Sequence, residues 1–259
     1  MNTDLTHRNL RDIAIDVVKE ASNIASNPGM KLAVSTKTSR NDLVTAVDKE
    51  IEEYIAERLT EKTGYPLLGE ESHTIDTFSG RVWVLDPIDG TMNYIETHRD
   101  YAISLALCEN GIPVVAVVAD VAGAKIYTAI RGEGAYCNDE AISEVQDDRD
   151  YTDVVIITDL KEICALPRLE EILRESRGHR RYGSAALELV EVASSRAGAF
   201  VHLWVSPWDI AAALLICQET GVNITRIDGT PLDVRYKGSI LAGWPKVHSG
   251  IHQRLIVQP

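Results

Sequence analysis

Between Asp4 and Ala25 the apolar residues Leu10, Ile13, Ala14, Val17, Val18, Ala21 and Ile24 recur at helical spacing. They predict one amphipathic helix, ended by Asn27-Pro28-Gly29. Lys31 to Val47 reads as two short strands around a polar tip, Thr36-Lys37-Thr38-Ser39-Arg40-Asn41. A second helix opens at Asp48 with the stripe Ile51, Tyr54, Ile55 and Leu59, and Gly64-Tyr65-Pro66 breaks it. Leu67-Leu68 then leads, strand-like, into Gly69-Glu70-Glu71-Ser72. Arg81 to Leu85 is an apolar run of the kind found in buried strands. Tyr101 to Glu109 and Ile112 to Asp120 form a hairpin around Asn110-Gly111, a favoured tight turn. Ala124 to Ile130 continues the meander, and Gly132-Glu133-Gly134 turns the chain into Ala135-Tyr136-Cys137.

The pattern changes after Gln146-Asp147-Asp148-Arg149-Asp150, the most polar segment of the region. Strands at Val154 to Thr158, His179 to Tyr182 and Ala199 to Val205 alternate with helices at Leu166 to Ser176, Ser184 to Arg196 and Trp208 to Thr220. The last of these helices is apolar almost all round, which predicts burial. Strands near Thr225 and at Ser239 to Ala242, and a helix from Val247 to Ile256, complete the chain. The expected class is α/β (α+β): an antiparallel lobe over 1–148 and an α/β lobe over 149–259, closed into one compact unit.

Composition narrows the function. With 45% hydrophobic and 25% charged residues the chain is an ordinary globular protein, not a disordered one. A net charge of −13 argues against nonspecific binding to nucleic acid or to an anionic membrane. It leaves anionic substrates open, because bound cations can reverse a local field. Cys108, Cys137, Cys164 and Cys217 are scattered without a C-x-x-C, as in a reducing compartment. The first residues show no basic region followed by an apolar one, and no uncharged apolar run approaches the ~20 residues of a membrane span. A cytoplasmic protein is expected.

The candidate chemistry lies at turns. Asp86-Pro87-Ile88-Asp89-Gly90-Thr91 follows the buried strand, with two carboxylates three residues apart on a stiff turn. Carboxylates so placed suit hard cations, and Gly90 with the N–H groups of a starting helix suits an anion. Each acid also has an ordinary reading as a helix cap or a solvated loop residue. Yet Asp48, Glu70-Glu71, Asp86 with Asp89, and Asp209 all fall at element boundaries. Cations and an anion seat at one corner point to phosphate chemistry.

An acidic pair, then D-P-I-D-G-T, then W-D before a helix resembles the pattern of the inositol monophosphatase family, the lithium-sensitive, magnesium-dependent phosphomonoesterases. Here it reads Glu70-Glu71, Asp86 to Thr91, and Trp208-Asp209. Asn41-Asp42-Leu43-Val44-Thr45 to Asp48 and Gly183-Ser184-Ala185-Ala186-Leu187 also look like family segments. The resemblance covers nearly the whole chain in the right order. It implies a layered αβαβα sandwich of the inositol monophosphatase and fructose-1,6-bisphosphatase type. It further implies two to three Mg²⁺ ions per site and inhibition by Li⁺. One ion would be held by Glu70, Asp86 and the carbonyl of Ile88, and a second by Asp86, Asp89 and Asp209. A third, weaker one would lie near Glu70 and the polar tip Thr36 to Asn41. Thr91, bonded to Asp48, would orient and deprotonate the attacking water, with Glu70 beside it in the catalytic group. Gly90, Thr91, Gly183, Ser184, Ala185 and His202 would contact substrate, and no phosphoenzyme would form. By analogy the protein would be a homodimer acting on a small phosphorylated substrate.

His202 departs from the pattern. Animal members of the family carry a glutamate seven residues before the W-D aspartate, where it contacts inositol hydroxyls. An imidazole cannot accept two hydroxyls as a carboxylate does. Inositol 1-phosphate is thus the default substrate, with fructose 1,6-bisphosphate, NADP(H) or a nucleotide 3′-phosphate as alternatives. A flat base would be favoured by an exposed Trp204, Tyr182 or Tyr236. The family's Gly-Gly after the last of the three helices reads Gly221-Val222, a change of structural meaning only. Two other classes stand beside the enzyme: a regulatory, protein-binding role and a structural ion-binding protein with closed sites.

Overall fold

The computed structural model describes residues 5–27, 34–36, 43–146 and 148–256, with backbone alone for 34–36 and 43–45. In order, the first half contains α1 (His7–Ser26), β1 (Val34–Thr36), β2 (Leu43–Thr45), α2 (Ala46–Thr63), β3 (Leu67–Gly69), β4 (Arg81–Asp89), α3 (Thr91–Glu96), β5 (Ala102–Glu109), β6 (Ile112–Asp120), β7 (Lys125–Ile130), β8 (Ala135–Cys137) and β9 (Glu140–Ala141). The second half contains β10 (Val155–Ile157), α4 (Leu160–Ala165), α5 (Pro167–Glu175), β11 (Gly178–Arg180), α6 (Ala185–Ala193), β12 (Ala199–Val205), α7 (Pro207–Glu219), β13 (Asn223–Thr225), β14 (Gly238–Gly243) and α8 (Pro245–Ile256).

Strands β3 to β9 form a seven-stranded sheet in chain order, antiparallel except where β3 runs parallel to β4. A five-stranded sheet has the order β11-β10-β12-β14-β13. The alternation within β4 sets the layers. Trp83 and Leu85 face a core shared with α1 and α2, whereas Val82 and Val84 face a core shared with α6, α7 and the second sheet. With α5 and α8 against the far side of the five-stranded sheet, the layers run helix, sheet, helix, sheet, helix. Helix α7 lies between the sheets and is buried from Ile210 to Cys217. Each Leu or Ile sealed there contributes roughly 1.5–3 kcal/mol.

Some boundaries differ from expectation, each for a local reason. Helix α1 begins at His7 because Thr6 and Asn9 form a reciprocal cap. Helix α2 begins at Ala46, so Asp48 sits inside its first turn and leaves its side chain for another partner. Strand β4 runs on through Asp86 and Pro87 to Asp89, with a bulge between the two acids that accommodates the proline. The helix expected over Leu166 to Ser176 is α5, with Pro167 in its first turn and a separate short α4 before it. Pro28-Gly29 and most of the tip Thr36 to Asn41 lie outside the described residues, as does the Asn41-Asp42 end of one family segment. Backbone pairing of β1 with β2, Val34 opposite Thr45, is described. No helix among the described residues is long and apolar enough to cross a membrane.

Candidate active site

The bulge at the end of β4 turns both of its acids into one cavity. Asp86 is buried and its Oδ1 accepts the Ile88 N–H at 3.0 Å. Burial, reinforced by the charges of Glu70, Asp89, Asp209 and Asp48, pushes its carboxyl well above the usual range. Gly90 follows with φ of 94°, a left-handed turn that also brings its Cα close to two backbone oxygens. A Cβ there would stand 3.1 Å from the Asp100 and Gly183 carbonyls. The chain then enters α3 at Thr91, whose hydroxyl lies 3.2 Å from Asp48 Oδ1 and 3.1 Å from the Ile88 carbonyl.

The second lobe completes the acid cluster. Asp209 sits in the first turn of α7 and its Oδ2 accepts the Ser206 N–H at 2.7 Å. Asp89 is received by the start of α6: Ser184 Oγ donates at 2.7 Å, the Ala186 N–H at 2.6 Å and the Ala185 N–H at 3.2 Å. These donors favour the ionised form but burial dominates, so Asp89 is raised to about 6 and Asp209 to about 8. Glu188, one turn into α6, is lifted to about 7 by burial even though it accepts the Tyr182 and Gly183 N–H groups at 2.6 and 2.8 Å. Buried acids in this state seek positive charge.

One cavity of about 280 Å³ is lined by Glu70, Asp86, Ile88, Asp89, Gly90, Thr91, Gly183, Ala185, His202 and Asp209, among others. Two expected residues lie behind the cavity lining, Asp48 bonded to Thr91 as expected. Asp48 is buried behind Thr91, and Ser184 is fully buried with its hydroxyl donated to Asp89. Contact of Ser184 with substrate is thus replaced by support of a carboxylate. Glu70, Asp86, Asp89, Asp209 and the Ile88 carbonyl offer only oxygen, which fits a hard cation such as Mg²⁺. Among the described residues no three Asp, Glu, His or Cys side chains already form a cage for an ion. The acids line an open wall, in keeping with their mutual repulsion.

Lys161, Asp159, Arg181 and Glu188, which no sequence expectation covered, also line the cavity, together with Trp204, and Arg181 and Asp159 are paired at 2.9 Å. His202 is there too, its side chain 16% exposed rather than facing solvent. The Trp204 N–H donates to His202 Nδ1 at 3.1 Å, which leaves the ring proton on Nε2. Burial holds this imidazole below its usual pKa, opposed by Glu162. Glu162 is itself buried, 3.7 Å from Nδ1, and accepts the Leu203 N–H. Trp204 is 68% exposed and Tyr236 64%, whereas Tyr182 is partly buried and packed on the core. Of these three aromatics, Trp204 alone lines the cavity. The Asp159-Leu160-Lys161-Glu162 spacing signalled a helix start, and with it this part of the lining.

Comparison with known proteins agrees with this geometry. The model of the inositol monophosphatase family matches residues 6–257. The inositol-1-monophosphatase of Bacillus subtilis (strain 168) is 34% identical over 254 residues, covering 95% of this chain and 96% of that protein. The Nus factor SuhB of Vibrio cholerae is 33% identical, covering 94% of each chain. A crystal structure of an inositol monophosphatase/NADP phosphatase complexed with Mg²⁺ and phosphate superposes with a TM-score of 0.91 at 28% identity. It covers 98% of this chain and 97% of its own. The chain belongs to the inositol monophosphatase family and is, by that membership, a phosphoric monoester hydrolase.

Proposed function

We propose that this protein is a Mg²⁺-dependent phosphatase that hydrolyses a small phosphorylated metabolite in the cavity between its lobes. The observation that carries the reading is the convergence of buried acids held above their usual pKa beside a threonine hydroxyl and a left-handed glycine. Glu70, Asp86, Asp89, Asp209 and the Ile88 carbonyl would hold the cations; that carbonyl has a lone pair to spare beyond the one facing Thr91. Mg²⁺, when bound, supplies positive charge against the phosphate oxygens and makes nearby water more acidic. Gly90 and Thr91 border the place of the phosphate. Thr91 Oγ1 donates to Asp48 and accepts a hydrogen from the attacking water, so the water's proton can pass to the buried carboxylate. Water oxygen bonds to phosphorus as the ester oxygen leaves and takes a proton from solvent. The products are inorganic phosphate and an alcohol. Li⁺ is expected to inhibit, and a cytoplasmic homodimer is expected.

For the substrate, inositol 1-phosphate is the family default, and one observation favours a nucleotide such as NADP⁺ as the second reading. His202 offers an N–H donor, and the exposed indole of Trp204 stands beside it as a stacking face. A nucleobase presents acceptors and a flat ring, whereas inositol presents hydroxyls that want a carboxylate. Phosphate release from inositol 1-phosphate, fructose 1,6-bisphosphate, NADP⁺ and adenosine 3′,5′-bisphosphate tests both readings. In His202→Glu the kcat/KM ratio of inositol 1-phosphate to NADP⁺ should rise about 10- to 100-fold, the worth of one or two charged hydrogen bonds. A ratio unmoved by the substitution would remove His202 from recognition, and release from none of the four would sink the enzymatic reading. A protein-binding role, motivated by the SuhB relative, would show as a complex that survives Asp89→Asn.

A further inference from the structure

Helix α2 presents two buried carboxylates one turn apart, Asp48 and Glu52. Thr91 accounts for Asp48. Glu52 has no place in the reaction above and does not line the cavity. Instead it receives the whole of a neighbouring turn. Its Oε2 accepts the Glu71 N–H at 2.8 Å. Its Oε1 accepts the Ser72 N–H at 2.7 Å and the His73 N–H at 3.1 Å. Ser72 Oγ and His73 Nδ1 lie 2.7 and 2.9 Å from the same oxygen. Gly69 makes the approach possible, since a Cβ there would stand 2.3 Å from Oε2. Burial works against ionisation of Glu52, yet His73 and the turn's N–H groups hold its carboxyl below the usual range.

The residue enclosed by these contacts is Glu70. It lies between Gly69, which packs on the Glu52 carboxylate, and Glu71, which donates to it, and its own side chain reaches the cavity. A single backbone bond, from the Gly69 N–H to the His73 carbonyl at 2.9 Å, closes the turn across its ends. Without Glu52 the three N–H groups of Glu71, Ser72 and His73 would lose their common acceptor, and the turn its shape. We propose that Glu52 is a positioning residue for the cation site: it fixes the turn that aims Glu70, while Asp48 on the same helix face aims Thr91. Helix α2 thereby holds a cation ligand and the water-activating hydroxyl at a fixed separation. The inference rests on the reading of Glu70 as a cation ligand.

Mn²⁺ binding to the full chain, measured by electron paramagnetic resonance, tests it in wild type, Glu52→Gln and Ser72→Ala. Melting temperature, amide hydrogen exchange at residues 70–73 and the Mg²⁺ half-saturation of phosphate release are measured alongside. An amide at position 52 turns an NH₂ towards donors that need an acceptor. Glu52→Gln should weaken Mn²⁺ binding about tenfold, as is usual when the partner of a metal ligand is lost. Mg²⁺ half-saturation should rise by a similar factor, exchange at the Glu71, Ser72 and His73 amides should quicken, and kcat should largely recover at saturating Mg²⁺. Ser72→Ala removes one donor and should shift binding the same way by about two- to threefold. It decides the matter if Glu52→Gln does not fold. Wild-type Mn²⁺ affinity in the folded variants, with or without a lower melting temperature, would overturn the positioning role. Absence of Mn²⁺ binding in the wild type would instead overturn the reading of Glu70 itself.

Discussion

Asp209→Asn should lower turnover by about 10²- to 10³-fold, the scale of removing one preorganised charge from a reacting centre. The substitution is sterically neutral, and an asparagine oxygen can still accept the Ser206 N–H that now reaches Asp209 Oδ2 at 2.7 Å. The start of α7 is therefore preserved and the loss is electrostatic. Asp89→Asn should cost at least as much, because its NH₂ must also meet either the Ala185 N–H or the Ser184 hydroxyl with the Ala186 N–H. The same residue predicts a pH effect on stability. Burial raises Asp209 from 3.8 to about 8, with Asp89 and Glu70 adding to the shift and Lys237 opposing it. The folded chain then holds a proton that the unfolded chain releases first. The stability contributed is complete below about pH 3.8 and is lost as pH rises through about 8. In chelator, wild type should lose more thermal stability than Asp209→Asn over that range, and divalent cation should remove the difference. Parallel melting profiles in chelator, or near-normal turnover in either variant, would contradict the assignment.

Thr91→Ala should lower kcat by about 10²- to 10⁴-fold, the range for losing a positioned proton acceptor. Its single hydrogen is directed at Asp48 and the Ile88 carbonyl, which orients the hydroxyl and leaves its oxygen lone pairs to accept from water. Thr91→Ser keeps the oxygen and should stay within about tenfold of wild type, whereas Asp48→Asn should approach the alanine variant. Equal kcat in Thr91→Ala and Thr91→Ser would mean that the hydroxyl does no proton work, whatever either does to stability.

Much of this was readable along the chain because each feature is local. Continuous apolar runs mark the buried strands β4 to β6, and Pro, Gly and Asp at element ends mark the turns that carry Asp86, Asp89 and Asp209. What escaped is long-range. Ser184 was expected to contact substrate from the family resemblance; only the fold brings Asp89, far away in sequence, onto the start of α6. Glu52 stands in helical register among Ile51, Ile55, Ala56 and Leu59, a charge on a buried face. That was a signal, but its acceptors' partners, the Glu71 to His73 amides, are invisible to periodicity. Lys161 and Arg181 needed the pairing of β10 with β12 and β11 to reach the cavity that His202 also lines, with Glu162 buried beside that histidine.

Phosphate hydrolysis in this cavity should depend on Mg²⁺ held by its acids. The most direct measurement is phosphate release from the best substrate of the panel after exhaustive chelation and during stepwise return of Mg²⁺, in wild type and Asp209→Asn side by side. The expected result is near-zero release in chelator, saturable recovery in the wild type, and little recovery in the variant at any Mg²⁺ concentration. Release that persists without divalent cation, or that recovers equally in both proteins, would contradict the claim.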